Sequence, residues 1–147
     1  MSDLPASVLF ACSENSVRSP MAEALARHFF GHRAWFDSAG LRTQDVDAFV
    51  GTVLEEIGID LARHVGKTFE DVDVSSFDLI ITLSPEAHHR ALQLVGSVAT
   101  DVEYWPTVDP SAVDGNRDIR LAAYRQVRES LATRLQRRFG GTGGPTV

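Results

Sequence analysis

The sequence predicts an α/β fold: a single domain with a four-stranded parallel sheet, helices on both faces and a phosphate-binding loop after the first strand. Three observations lead there. Short apolar runs alternate with stretches of helical periodicity, the pattern of a parallel sheet covered on both sides. The 147 residues are the size of one domain. The first apolar run ends in Cys12, the only cysteine, and a loop of small and polar residues then opens a helical stretch.

Each element follows from its local pattern. Ser7 to Ala11 is apolar enough for a strand buried on both faces. Pro20 suits a first helical turn, and Met21, Leu25 and Phe29 recur at four-residue spacing to near Phe30. Trp35 to Ser38 is a short second strand. Val46, Val50, Val53, Leu54 and Ile57 form a helical stripe that Gly58 stops. Phe77 to Leu83 is a third, nearly continuous apolar strand. Ser84 and Pro85 then cap a helix carrying His88, Ala91, Leu92 and Val95, ended by Gly96. Val102 to Trp105 is the fourth strand, and Leu121, Tyr124, Val127, Leu131 and Leu135 mark a long last helix. The expected domain is residues 1–139, followed by a disordered Gly-rich tail at 140–147.

Composition narrows the function classes. With 44% hydrophobic and 23% charged residues the chain is ordinary globular material. A net charge of −6 and the lack of a broad basic face argue against nucleic acid. No apolar run approaches the roughly 20 residues of a membrane span. A start of Met1 to Ala6 with no basic residue is no signal peptide, so a cytoplasmic location is expected. One cysteine excludes a disulfide within the chain, which fits a reducing compartment. Arg134, Arg137 and Arg138 read as cations complementing a helix end. His28, His32, His88 and His89 read as surface or loop residues, and no Cys/His spacing suggests a metal. Neither a metal nor a cofactor is expected.

The chemistry gathers in the loop after the first strand. Ser13, Glu14, Asn15, Ser16 and Val17 separate Cys12 from Arg18, and Ser19 and Pro20 follow. A strand–loop–helix start aims backbone N–H groups and a helix N-terminus inward, where they hold a tetrahedral oxyanion. The same positive field favours a thiolate, the form of cysteine that attacks. Arg18 can engage two oxygens of the anion with its planar fork. Ser19 can donate its hydroxyl to the thiolate. The oxyanion-binding set is therefore residues 13–19. Glu14 is out of keeping with an anion site and is expected to point outward to solvent.

Cys-x-x-Asn-x-x-Arg-Ser-Pro-Met-Ala-Glu, directly after Val-Leu-Phe, resembles the low-molecular-weight protein tyrosine phosphatase family, whose superfamily includes thioredoxin-coupled arsenate reductases. The likeness extends to Asp37-Ser38-Ala39-Gly40, Gly58 to His64, Phe77 to Thr82 and Trp105 to Pro110. It implies that Cys12 is a nucleophile forming a cysteinyl-phosphate, with Arg18 on the transferring oxygens. It implies that Asp109, on an Asp-Pro loop, is the general acid. It further implies that Asn15, Ser19, Ser38 and His64 brace the loop by hydrogen bonds. The family's aromatic pocket walls have no counterpart here, where Leu41 to Asp45 and Ser111 to Val113 stand instead.

The expected activity is phosphomonoester hydrolysis, on a phosphorylated protein or a small phosphomonoester, with inorganic phosphate or a similar oxyanion fitting the loop. Two alternatives remain open at this level: arsenate reduction resolved by an external small thiol, and a non-catalytic phosphate-binding module. A monomer or weak homodimer is expected.

Overall fold

A computed structural model describes residues 4–61, 64–96 and 98–140. Of the Gly-rich tail expected at 140–147, Gly140 belongs to a helical turn and the rest lies outside the described residues. Four strands form one sheet: β1 (Ser7–Cys12), β2 (Trp35–Gly40), β3 (Leu79–Thr82) and β4 (Asp101–Tyr104). Their order is β2-β1-β3-β4 and every pairing is parallel. The helices are α1 (Arg18–Phe30), α2 (Ala48–Glu55), α3 (Pro85–Val95) and α4 (Arg117–Leu135), the last continued by a π-helical turn at Gln136–Gly140.

Alternation along β1 divides the core in two. Val8, Phe10 and Cys12 face a cluster built with Met21, Leu25, Val53, Leu54, Tyr124 and Leu131 from α1, α2 and α4. Leu9 and Ala11 face the other side, with Ile80, Ala87, Ala91, Phe69 and Phe77. The sheet is thus covered on both faces, and its two central strands are apolar apart from Ser7 and Thr82 at their ends, as suits buried parallel strands.

Element boundaries differ from the sequence pattern where capping or pairing intervenes. The first helix begins at Arg18, two residues before Pro20, because the loop itself turns into the helix. The second is shorter than its apolar stripe. Asp47 caps it by accepting from the Phe49 N–H, which leaves Val46 outside, and Gly58 takes a φ of 81° just beyond it. In the third strand Phe77 is buried but unpaired, since the ladder starts at Leu79. The second strand runs on to Gly40, paired with Cys12.

The arginines near the chain's end make specific contacts. Arg134 lies over the Trp105 ring at 5.0 Å, and Arg138 Nη2 pairs with Glu103 Oε2 at 2.8 Å. His88, expected as a plain surface residue, stacks on Tyr104 and shares a 2.9 Å hydrogen bond with Thr82 Oγ1 through Nδ1.

Candidate active site

The connections after β1 and β3 leave the sheet in opposite directions, which opens a crevice at the carboxyl edge between them. Cys12 ends β1 at this edge, and the segment after β4 brings Asp109 to it. A narrow cleft there is lined by Cys12, Glu14, Ser16, Val17, Arg18, Asp109 and Ser111. No aromatic residue lines it among the described residues.

The helix following the loop has no side-chain cap at Val17, and within its first turn the Ser19 N–H points to Cys12 Sγ. Such an end suits an anion. Arg18 is mostly buried and spans the cleft. Its Nη1 donates to the Thr107 carbonyl at 2.9 Å, and its Nη2 lies 4.0 Å from Asp109 Oδ2. The guanidinium therefore ties the loop to the segment bearing Asp109, with further N–H groups of the fork to spare. Asp109 Oδ1 accepts from the Ser111 N–H at 3.0 Å and its hydroxyl at 2.7 Å. This fastens one carboxylate oxygen and leaves the other toward Arg18.

Behind the cleft runs a buried polar chain whose direction can be derived. The Lys67 N–H donates to Asn15 Oδ1 at 3.0 Å, which fixes the amide orientation. Asn15 Nδ2 must then donate to both Ser19 Oγ and Ser38 Oγ, each at 2.9 Å. Ser38 passes its proton toward the acceptor-only Glu23 carboxylate, at 2.5 Å from Oε1. Ser19, already accepting from Asn15, has its own hydroxyl proton free for Cys12 Sγ at 2.9 Å. The Ser19 N–H adds a second donor at 3.4 Å. The chain thus ends with its donors directed at sulfur, the arrangement that favours a thiolate.

Asn15 supports this from a left-handed conformation, φ 53°, that asparagine tolerates better than most residues. His64 Nε2 meets Asn15 Oδ1 at 3.1 Å, and Nδ1 lies 3.9 Å from Glu23 Oε1. Burial holds the His64 imidazole below its ordinary value, against the upward pull of Glu23.

The residues expected to bind oxyanion thus divide. Ser16, Val17 and Arg18 line the cleft, whereas the side chains of Ser13, Asn15 and Ser19 are engaged elsewhere, so any part they take in holding an anion falls to backbone N–H groups. Ser13 Oγ reaches Glu86 Oε1 at 3.0 Å and Ser84 Oγ at 3.1 Å on the α3 side. Glu14 lines the cleft mouth and pairs with Arg42, Nε to Oε2 3.5 Å, while also accepting from Gln44 Nε2 at 3.3 Å.

Three contributors escaped the sequence reading. Glu23 ends the polar chain, and its spacing of four from both Ser19 and Arg27 on one helix face was a usable signal. Asp47 donates its N–H to the Ser16 carbonyl at 3.1 Å and accepts the Tyr124 hydroxyl at 2.5 Å, but no local pattern pairs residues so distant in sequence. Gly40 packs so closely that a Cβ would lie 2.8 Å from the Asn15 nitrogen, a requirement invisible before the loop is in place.

The comparisons with known proteins agree with this geometry. An arsenate reductase of Bacillus subtilis is 27% identical over 136 residues, covering 92% of this chain and 96% of that protein. The structure of an arsenate reductase in a phosphate-binding state is 25% identical with a TM-score of 0.70, covering 89% of this chain and 94% of that one. The tyrosine phosphatase Wzb of Escherichia coli K30, solved with sulphate, matches with a TM-score of 0.73 at 20% identity, covering 91% and 96%. Of these two structures, one is described as a phosphate-binding state and the other as a complex with sulphate. The family of low molecular weight phosphotyrosine protein phosphatases matches residues 7–138, a span holding all the cleft and network residues above, and the chain belongs to that family.

Proposed function

We propose that this protein is a cysteine-dependent phosphomonoester hydrolase. The observation that carries the reading is the pairing of the chain's sole thiol, with the Ser19 hydroxyl directed at it, and the Asp109 carboxyl across the same cleft. In the first step Cys12 Sγ attacks phosphorus, the S–P bond forms and the P–O bond to the leaving group breaks. Protonated Asp109 gives that oxygen its proton. In the second, the Asp109 carboxylate takes a proton from water as water attacks phosphorus, and the S–P bond breaks to free phosphate and thiolate. Arg18 and the loop N–H groups follow the transferring oxygens through both steps. The substrate is a phosphorylated protein side chain or a small phosphomonoester. A cleft without aromatic walls gives a phenyl ring no stacking, worth about 0.5–1.5 kcal/mol per ring pair.

The names of the curated relatives favour a second reading, arsenate reduction. With one cysteine in 147 residues, a Cys12–arsenic adduct would have to be resolved by a thiol from outside the chain. One assay separates the readings. The protein is offered an activated aryl phosphate, and separately arsenate with either glutathione or thioredoxin, thioredoxin reductase and NADPH. Phosphate release that is lost in Cys12→Ser, with no arsenite in either mixture, is the expected result. Steady arsenite production would transfer the function to reduction, and oxyanion binding without any turnover would make the protein a binding module.

A further inference from the structure

An anion-binding loop that carries a glutamate next to its nucleophile's neighbour works against itself. Glu14 lines the same narrow cleft as Cys12 and Arg18, where its charge opposes both a thiolate and an incoming oxyanion. Its carboxylate is partly exposed but paired. Arg42, just past β2, approaches Glu14 Oε2 through Nε at 3.5 Å, and Gln44 donates to the same oxygen at 3.3 Å. The other end of the Arg42 fork, Nη2, lies 3.5 Å from Glu86 Oε1, which also accepts from the Ser13 hydroxyl.

The backbone is arranged to keep Arg42 in this place. The N–H groups of Leu41 and Arg42 both donate to the Ser13 carbonyl, at 2.9 and 3.2 Å. Gly40 permits the two segments to touch, with no room for a Cβ between the Arg42 carbonyl and the Asn15 nitrogen. Arg42 is therefore held against the outer side of the loop by main-chain bonds that its own side chain does not supply.

We propose that Arg42 is a positioning residue that cancels the Glu14 charge and draws its carboxylate to the rim, so that the cleft keeps a field fit for oxyanions. The inference rests on the oxyanion-handling site argued above. It makes the second loop position and the residue two past the end of β2 a matched pair. A neutral loop residue would need no arginine there, and an acidic one does.

The test is direct binding of inorganic phosphate and vanadate by calorimetry, with no turnover required, on the wild type and the variants Arg42→Gln, Glu14→Gln and the double variant. Because the Ser13 bonds come from the Arg42 backbone, Arg42→Gln keeps the loop tie. At low ionic strength Arg42→Gln should weaken oxyanion binding by about five- to twentyfold, and the loss should shrink at high salt because the pair is exposed. Glu14→Gln should bind oxyanion more tightly than the wild type, because the Arg42 charge is then uncancelled. The double variant should return to within about twofold of the wild type, since both charges have gone together. The rate of Cys12 alkylation by the neutral reagent iodoacetamide at pH 6 should fall and recover in the same order.

Unchanged binding in Arg42→Gln would overturn the proposal. So would a loss that persists in the double variant, which would assign Arg42 to the anion itself or to holding α3 through Glu86. A wild-type protein that binds neither oxyanion would overturn the site reading, and this inference with it.

Discussion

In the proposed mechanism a single side chain, Asp109, separates an acid-assisted reaction from simple displacement. Its free carboxylate oxygen lies on the Arg18 side of the cleft, while Ser111 fastens the other. Asp109→Asn should slow esters of poor leaving groups by about 10²–10⁴-fold and activated aryl esters far less, because an activated phenolate departs without a proton. Steady-state rates for both esters check this, and equal losses would move the acid elsewhere, with Asp45 first to try. Arg18→Lys should cost at least about tenfold in kcat/KM, roughly 1.4 kcal/mol, despite conserving charge. An ammonium cannot keep the Thr107 carbonyl and two oxyanion contacts together. At this scale the sequence was most legible where chemistry and spacing coincide, at Cys12, Asn15, Arg18 and Ser19. It was silent on what each loop side chain touches. Ser13 read as an anion-binding loop residue and Glu14 as one pointing outward to solvent, yet one binds the α3 side and the other an arginine from beyond β2, because partners distant in sequence leave no local trace.

Between elements, Asp47 joins three parts of the fold. It caps α2, donates its N–H to the Ser16 carbonyl and accepts the Tyr124 hydroxyl from α4. Burial first, then the Asp47 carboxylate, pushes the Tyr124 phenol well above its ordinary value, so it stays a donor at all physiological pH. Tyr124→Phe should destabilise the protein by about 1–3 kcal/mol, the worth of a hydrogen bond to a charged acceptor, measured by urea unfolding. It should also weaken phosphate binding, since the Ser16 end of the loop loses its brace. Periodicity revealed that all eight elements exist and in what order. It misjudged their ends, at Val46 and Phe77 for example, since a cap or an unpaired strand end is decided by neighbours rather than by apolar spacing.

For the molecule as a whole, the helices on the α1 side are pinned by charge as well as by the core. Glu56, just past α2, receives Arg125 Nη2 at 2.7 Å and Arg128 Nη1 at 2.8 Å from α4. The hydrogen bonds from these two arginines lower the Glu56 carboxyl from 4.5 to about 2. A carboxyl depressed on folding contributes stability above its unfolded value and loses it as pH falls through the folded one. The wild type should therefore exceed Glu56→Gln in denaturant resistance at pH 7, and the gap should close between pH 4.5 and 2. The layered sheet was legible because both central strands are apolar apart from Ser7 and Thr82 at their ends. The partner strands were not, since order across a sheet is not written in any one segment.

Cys12 and Asp109 stand 97 residues apart, one at the end of the first strand and the other beyond the last. The thiol and its loop belong to the first strand–helix unit, although Lys67 fixes Asn15 and Asp47 holds Ser16 from farther along the chain. Asp109, the proton donor of the proposed mechanism, lies beyond β4, which pairs with β3, on a segment that Arg18 ties to the loop through Thr107. Contacts this remote in sequence form late and slowly, because a long segment must be ordered before they reward it. A chain refolding from denaturant should never recover turnover before it recovers phosphate binding, and a chain halted short of the last strand would hold a reactive sulfur with no means to expel a poor leaving group.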